Sequence, residues 1–221
     1  MRHQARFLAT TWRVTLLCAG LTACNSGKPG QAIDVKDALP PLCFSLTRAS
    51  DGRAVTAADF KGKVALLYFG YTGCSDSCPT TLLDLTEALK RLGGDADKVR
   101  ILFVSVDPLH DTLPVLKRYG AQFGPQVVGL RGSDDHLAAV ARRYRAAYAV
   151  TDPDRWYDYQ VSHSNSVYVF DASGAARLLI PALDLSHDAD GIARELRRII
   201  AETPHPPRQP SSQPLHPAAS S

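Results

Sequence analysis

The stretch Leu66-Leu67-Tyr68-Phe69-Gly70-Tyr71-Thr72-Gly73-Cys74-Ser75-Asp76-Ser77-Cys78-Pro79 decides the fold. Its first half lies in an apolar run, Lys63 to Tyr71, which reads as a strand buried on both faces. Its second half opens a helix. Leu82, Leu85, Leu89 and Leu92 share one stripe, Asp84, Glu87, Lys90 and Arg91 fall largely outside it, and Gly93-Gly94 ends it. A buried strand that hands straight over to an amphipathic helix is the repeating unit of an α/β layer fold.

Working outward, the same alternation continues. Val99 to Val106 reads as another buried strand, broken by Asp107-Pro108, after which Asp111 or Thr112 can cap a helix with Pro114 in its first turn, running to about Phe123. Gln126 to Leu130 is a brief strand. Ser133 caps a helix that carries Leu137, Val140, Ala141 and Tyr144 on one face. Asn165 to Phe170 and Ala175 to Ile180 flank Asp171-Ala172-Ser173-Gly174 as a hairpin, and a last amphipathic helix uses Ile192, Leu196, Ile199 and Ile200. Upstream, Leu42 to Thr47 reads as a short strand before the tight turn at Asp51-Gly52. The pattern predicts an α/β domain with a largely parallel central sheet and no internal repeat.

Composition narrows the function. The 221 residues are 45% hydrophobic and 21% charged, which suits one globular domain with extensions and excludes a fibrous or wholly disordered chain. The formal charge of +3 comes from Arg2, Arg6 and Arg13 in an acid-free leader; the remainder holds 22 basic and 22 acidic residues. No cationic surface for nucleic acid is implied. The single methionine is Met1, so a thiophilic metal would have to be held by Cys and His. Residues 1–23 read as a secretory signal peptide of lipoprotein type: an Arg-rich start, a short apolar run from Val14 to Ala23, then Leu21-Thr22-Ala23-Cys24, which resembles a bacterial lipobox. Cys24 is then the lipidation site and is lost to redox or metal chemistry; a plain secretion signal is the alternative. A tether over 24–39, a folded domain over 40–202 and a disordered Pro/Ser-rich tail over 203–221 complete the expected organisation, on the extracytoplasmic (periplasmic) side of a membrane.

Cys74 and Cys78 stand four apart where a strand passes into a helix N-terminus, so the two sulfurs can converge on one face. The helix dipole and free N–H groups there favour anions, and both thiols are expected to have lowered pKa values. That geometry suits a disulfide or the chelation of one thiophilic ion. Asp76, between the two cysteines, reads as a helix cap or a charge that tunes the site. Thioredoxin-like oxidoreductases set a cis-proline against their cysteines; the matching segment here, Asp158 to Asn165, has no proline and offers His163 instead. Two thiolates and an imidazole suit trigonal Cu(I) and tolerate Cu(II) or Zn(II).

With these residues in place the sequence resembles the Sco family of copper chaperones, which mature the binuclear copper site of cytochrome c oxidase. The matching segments are FGYTGCSDSCPTTL at Phe69 to Leu82, VSVDPLHDT at Val104 to Thr112 and DYQVSHSNSVYVFD at Asp158 to Asp171, within a resemblance that covers roughly Pro40 to Ala201. It implies a thioredoxin-like fold, a central mixed sheet flanked by helices with an N-terminal hairpin extension. It also implies Cys74, Cys78 and His163 as ligands of a copper ion, Cu(I) or Cu(II), with Asp107 as an acidic residue near the thiols. The implied partners are subunit II of cytochrome c oxidase, other periplasmic copper carriers or thiol reductants, and a membrane reached through a lipid anchor. Ser75 departs from the family, which often has Pro there.

A thiol-disulfide oxidoreductase using Cys74 and Cys78 as its redox pair is the rival reading. A peroxidase is weaker, since no Arg lies near these cysteines in sequence. Cys43 reads as a small buried hydrophobe, or else as a third reactive thiol. His110, His136 and His187 read as surface histidines, and His205 and His216 as solvated in the tail. Lys63 reads as a solvated charge. Asp152-Pro153-Asp154 with Trp156, Tyr157 and Tyr159 forms an acidic-aromatic loop that shields the site, meets a partner or simply packs.

Overall fold

A computed structural model describes residues 32–151, 159–181 and 188–202. The leader with Cys24, the 203–221 tail with its histidines, His187, and the acidic-aromatic loop up to Asp158 lie outside the described residues.

Eight strands form one mixed sheet. In chain order they are β1 (Ile33–Asp34), β2 (Ser45–Arg48), β3 (Ala54–Thr56), β4 (Val64–Gly70), β5 (Val99–Ser105), β6 (Val127–Arg131), β9 (Ser166–Phe170) and β10 (Ala176–Pro181). Between β6 and β9, β7 (Tyr148–Thr151) and β8 (Gln160–His163) pair only with each other. The sheet order is β1-β10-β9-β4-β5-β6-β2-β3. β4, β5 and β6 are parallel, β9 runs antiparallel to β4, and β2 and β3 make the hairpin extension at one edge. The helices are α1 (Ser77–Leu92), α2 (Leu113–Ala121), α3 (Asp134–Tyr144) and α4 (Ala189–Glu202).

Period-two alternation on β4 builds two cores. Val64, Leu66 and Tyr68 face the layer of α1, α2 and α4, while Ala65, Leu67 and Phe69 face α3 and the β2–β3 hairpin. Every residue of β4 is buried, as the unbroken apolar run requires of a central strand covered on both faces. The leucine stripe of α1 and Ile192, Leu196, Ile199 and Ile200 of α4 meet over the first face. Arg177 on β10 bonds Asp171 in the hairpin turn and Glu202 at the end of α4, fixing the last helix to the sheet. The arrangement is thioredoxin-like, a central mixed sheet flanked by helices.

Five expectations change. The sheet expected to be largely parallel is mixed: β4–β5 and β5–β6 pair parallel, while β1–β10, β10–β9, β9–β4, β6–β2 and β2–β3 pair antiparallel, because β9 and β10 return as a hairpin and β2 and β3 add another at the far edge. The tether expected over 24–39 is partly structured, since Ile33 and Asp34 pair with β10 and Val35 is buried. Cys43 is exposed; Phe44 and Leu46 take the inward positions, so alternation turns Cys43 out. β7 and β8 were not expected, because these short, half-exposed strands carry no strong periodicity. Helix α2 begins after Thr112, yet no side chain caps it, because Asp111 turns inward.

Candidate metal centre

The site lies at the carboxyl end of parallel strands β4 and β5, where open α/β sheets leave a crevice. β4 ends at Gly70 and the chain turns through Tyr71-Thr72-Gly73-Cys74, closed by the Cys74 N–H donating to the Tyr71 carbonyl at 3.3 Å. Helix α1 then starts at Ser77. Asp76 occupies the cap position, but its side chain makes no capping bond, contrary to one of the two expectations for it. The acceptor there is the Cys74 sulfur, which takes the Cys78 N–H at 3.3 Å. A sulfur thus fills the role that a carboxylate usually takes at an orphan helix N–H.

His163 arrives by a different route. β9 runs antiparallel to β4 with Val167 opposite Tyr68, so the segment before β9 reaches the end of β4. Cys78 Sγ lies 3.3 Å from His163 Nε2, and the ligating atoms of Cys74, Cys78 and His163 all fall within 4.8 Å of one another. The Nδ1–H of His163 donates to the Ser164 carbonyl at 3.2 Å, which leaves the Nε2 lone pair turned to the sulfurs. Tyr68 and Tyr71 meet the imidazole edge-on, with centroids at 6.1 and 5.9 Å. The Tyr68 hydroxyl donates to Asn165 Oδ1 at 2.8 Å and so anchors the same segment.

The two thiols differ, against the expectation that both pKa values would fall. Burial opposes ionisation of Cys74, but hydrogen bonds from Ser77, the Cys78 thiol and the N–H groups of Cys78 and Asp76 outweigh it and bring the pKa down to about 6. Cys78 is fully buried. That burial, with the neighbouring Cys74 thiolate, outweighs a bond from the Tyr71 backbone and pushes its pKa up to about 12. At neutral pH the pair is one half-buried thiolate and one buried thiol.

Room for the buried sulfur depends on Gly70. A Cβ there would stand 2.6 Å from the Phe103 ring and 2.9 Å from Cys78 Sγ, so no other residue fits without displacement. Asp107 is buried, and its carboxylate holds the backbone N–H and the Nδ1 of His110. Tyr159 packs on His110, with centroids 4.5 Å apart. His110 and His136 are exposed, and the Lys63 ammonium donates to the Asp97 carbonyl. Sequence reasoning missed Asp111. Its carboxylate accepts from Thr72 N–H at 3.0 Å, Thr72 Oγ1 at 2.5 Å and Ser105 Oγ at 2.6 Å. Burial raises its pKa despite these bonds. No helix among the described residues is long and apolar enough to cross a membrane.

Comparison with known proteins adds to this geometry. The family model SCO1/SenC matches residues 42–201. The structure of Bradyrhizobium japonicum ScoI with copper bound is similar at a TM-score of 0.64 and 36% identity, covering 72% of this chain and 98% of that one. The structure of BsSco, a member of the Sco family of cytochrome c oxidase assembly proteins in which a disulfide switch is identified, is similar at a TM-score of 0.57 and 26% identity, covering 75% of this chain and 98% of that one. Among curated proteins, the mitochondrial SCO2 homolog of Mus musculus is 35% identical over 126 residues, 56% of this chain and 48% of that protein. The chain spans about half the length of the curated relatives it matches.

Proposed function

We propose, because the chain belongs to the SCO1/SenC family, that it carries a copper ion between Cys74, Cys78 and His163 and serves in the assembly of cytochrome c oxidase. The observation that carries this reading is the convergence of two sulfurs and one imidazole nitrogen within 4.8 Å. The donor set fits the cargo. Two thiolates suit a soft d¹⁰ ion, and the borderline imidazole keeps Cu(II) within reach. Copper-bound ScoI at 36% identity supports the same assignment.

The residues divide the work. Cys74, already ionised and half exposed, is the entry ligand. Cys78 closes the site from beneath and gives up its proton when the cargo binds, since thiols bind metal as thiolates. His163 presents Nε2 because Ser164 holds Nδ1. A site of three ligands with one edge half exposed lets an acceptor sulfur enter before a donor leaves, so tight binding and release are compatible. We assign the acceptor as subunit II of cytochrome c oxidase and the location as the extracytoplasmic face of a membrane, with Cys24 as the lipid-bearing residue; Leu21 to Cys24 supports the anchor.

A second reading, thiol-disulfide exchange with the acceptor's cysteines, has its own support. An accessible low-pKa thiolate beside a buried high-pKa partner is the asymmetry that exchange uses, and BsSco is described with a disulfide switch. Copper affinity and reductase turnover measured side by side for wild type and His163→Ala separate the two. Copper affinity lost with turnover unchanged supports both roles; turnover without copper affinity in wild type eliminates the carrier.

A further inference from the structure

Asp111 is 0% exposed, and a buried carboxylate is costly unless its oxygens are satisfied. Here all of its side-chain donors are neutral: the Thr72 N–H, the Thr72 hydroxyl and the Ser105 hydroxyl. The turn that delivers it is closed by its own N–H donating to the Asp107 carbonyl at 2.9 Å, and Ser105 Oγ also accepts the Asp107 N–H at 3.1 Å. One carboxylate therefore ties the end of β5 to the loop that leaves β4. It grips that loop at Thr72, the second residue of the turn closed between Tyr71 and Cys74. A helix cap would have used the same side chain on the surface; here it turns inside and holds Thr72, which stands two residues before the candidate ligand Cys74.

We infer that Asp111 is the positioning residue of the metal centre: by holding the Thr72 N–H and hydroxyl against the end of β5, it fixes where the Cys74 sulfur stands relative to Cys78 and His163. The inference rests on the copper reading for its spectroscopic test only, since the placement of Cys74 has a readout without metal. Asp111 touches none of the three ligands, so its effect passes through the Thr72 backbone. Thr72 supplies both the lever and the control, because Ser keeps the hydroxyl at that position and Val removes it while keeping the shape.

The test uses the whole chain as wild type, Asp111→Asn, Thr72→Val and Thr72→Ser. Cu(II) affinity is read by competition, the sulfur-to-copper absorption and copper hyperfine splitting by spectroscopy, and the Cys74 alkylation rate with iodoacetamide at fixed pH without metal. We expect Asp111→Asn and Thr72→Val to weaken Cu(II) about tenfold, the lower end of what a supporting residue costs, and to shift the absorption band and the alkylation rate. Thr72→Ser is expected to stay at wild-type values. Wild-type affinity, spectrum and alkylation rate in both Asp111→Asn and Thr72→Val overturn the inference, even if melting temperatures fall, because loss of stability alone would leave the folded site unchanged. Should Asp111→Asn fail to fold, the Thr72 pair decides by the same criteria. A wild-type chain that takes up no copper overturns the proposed function instead, and the alkylation rates then decide the placement of Cys74.

Discussion

Cys74 and Cys78 stand on a turn and a helix start that grow directly out of the central strand β4, whereas His163 ends a two-stranded ribbon, β7–β8, that among the described residues pairs with no strand of the main sheet. On the sulfur side the holding contacts are backbone and core. Cys78 packs in the first-face core, Gly70 clears its space, and the Cys78 N–H bonds the Cys74 sulfur. On the imidazole side the backbone bonds run only to the ribbon, His163 pairing with Tyr148 and the Ser164 N–H donating to the Ala147 carbonyl, and the links to the rest of the site are side chains: the Tyr68 hydroxyl donating to Asn165 Oδ1, the Ala147 N–H donating to Ser164 Oγ, and the Tyr68 and Tyr71 rings around His163. The difference teaches that one half of the site stands on the main sheet and its core, while the other stands on a separate ribbon joined to that core by a few side chains. Low-stability elements of this kind are where binding sites find their adjustability.

The comparison can be broken first at Gly70. Gly70→Ala forces a methyl into Phe103 and the Cys78 sulfur, and the neighbouring ring and helix cannot both yield. We expect a loss of about 1–3 kcal/mol in stability, the usual range for overpacking, measured by urea denaturation, together with weakened copper binding. Unchanged stability and affinity would show that the sulfur side is not held by the core.

The thiol asymmetry sharpens the same contrast by pH. With Cys74 near 6 and Cys78 near 12, cargo binding between pH 7 and 9 displaces one proton, that of Cys78. Apparent copper affinity should therefore rise with pH by about tenfold per unit across that window, and more steeply as Cys74 protonates below it. Competition titrations at pH 7, 8 and 9 check the slope; a flat profile would mean that Cys78 is already a thiolate.

The smallest effect belongs to the imidazole side. Tyr68→Phe removes the hydroxyl that holds Asn165 and should cost about 1 kcal/mol, as for one hydrogen bond. Hydrogen exchange should quicken around 160–166 and stay unchanged in α1. Equal quickening in both segments would dissolve the distinction.

Much of this was legible in residue order, and the gaps have physical causes. Val64 to Gly70 and the leucine stripe of α1 declare themselves because burial on both faces, or on one helical stripe, leaves a periodic apolar record. The alternation Leu42, Phe44, Leu46 already carried the signal that turns Cys43 outward. Asp111 left no such trace. In sequence it looks like a cap before Pro114, and its inward turn depends on Thr72, 39 residues away. Cys78 misled for a related reason: the helix N-terminus that lowers Cys74 acts on both thiols, but complete burial and the Cys74 charge reverse the result for one.

The sequence by itself determined the alternation of strands and helices and the paired thiols at a strand-to-helix junction, because these are written in local periodicity and spacing, and three motifs at Phe69 to Leu82, Val104 to Thr112 and Asp158 to Asp171 carried the resemblance to the family. Only the tertiary structure decided how closely His163, already expected opposite the cysteines, approaches those sulfurs, that one thiol ionises easily while its neighbour resists, and that Asp111 turns inward to bond Thr72. Each of these depends on desolvation and on contacts between residues distant in the chain, and burial acts on atoms that the order of residues does not bring together.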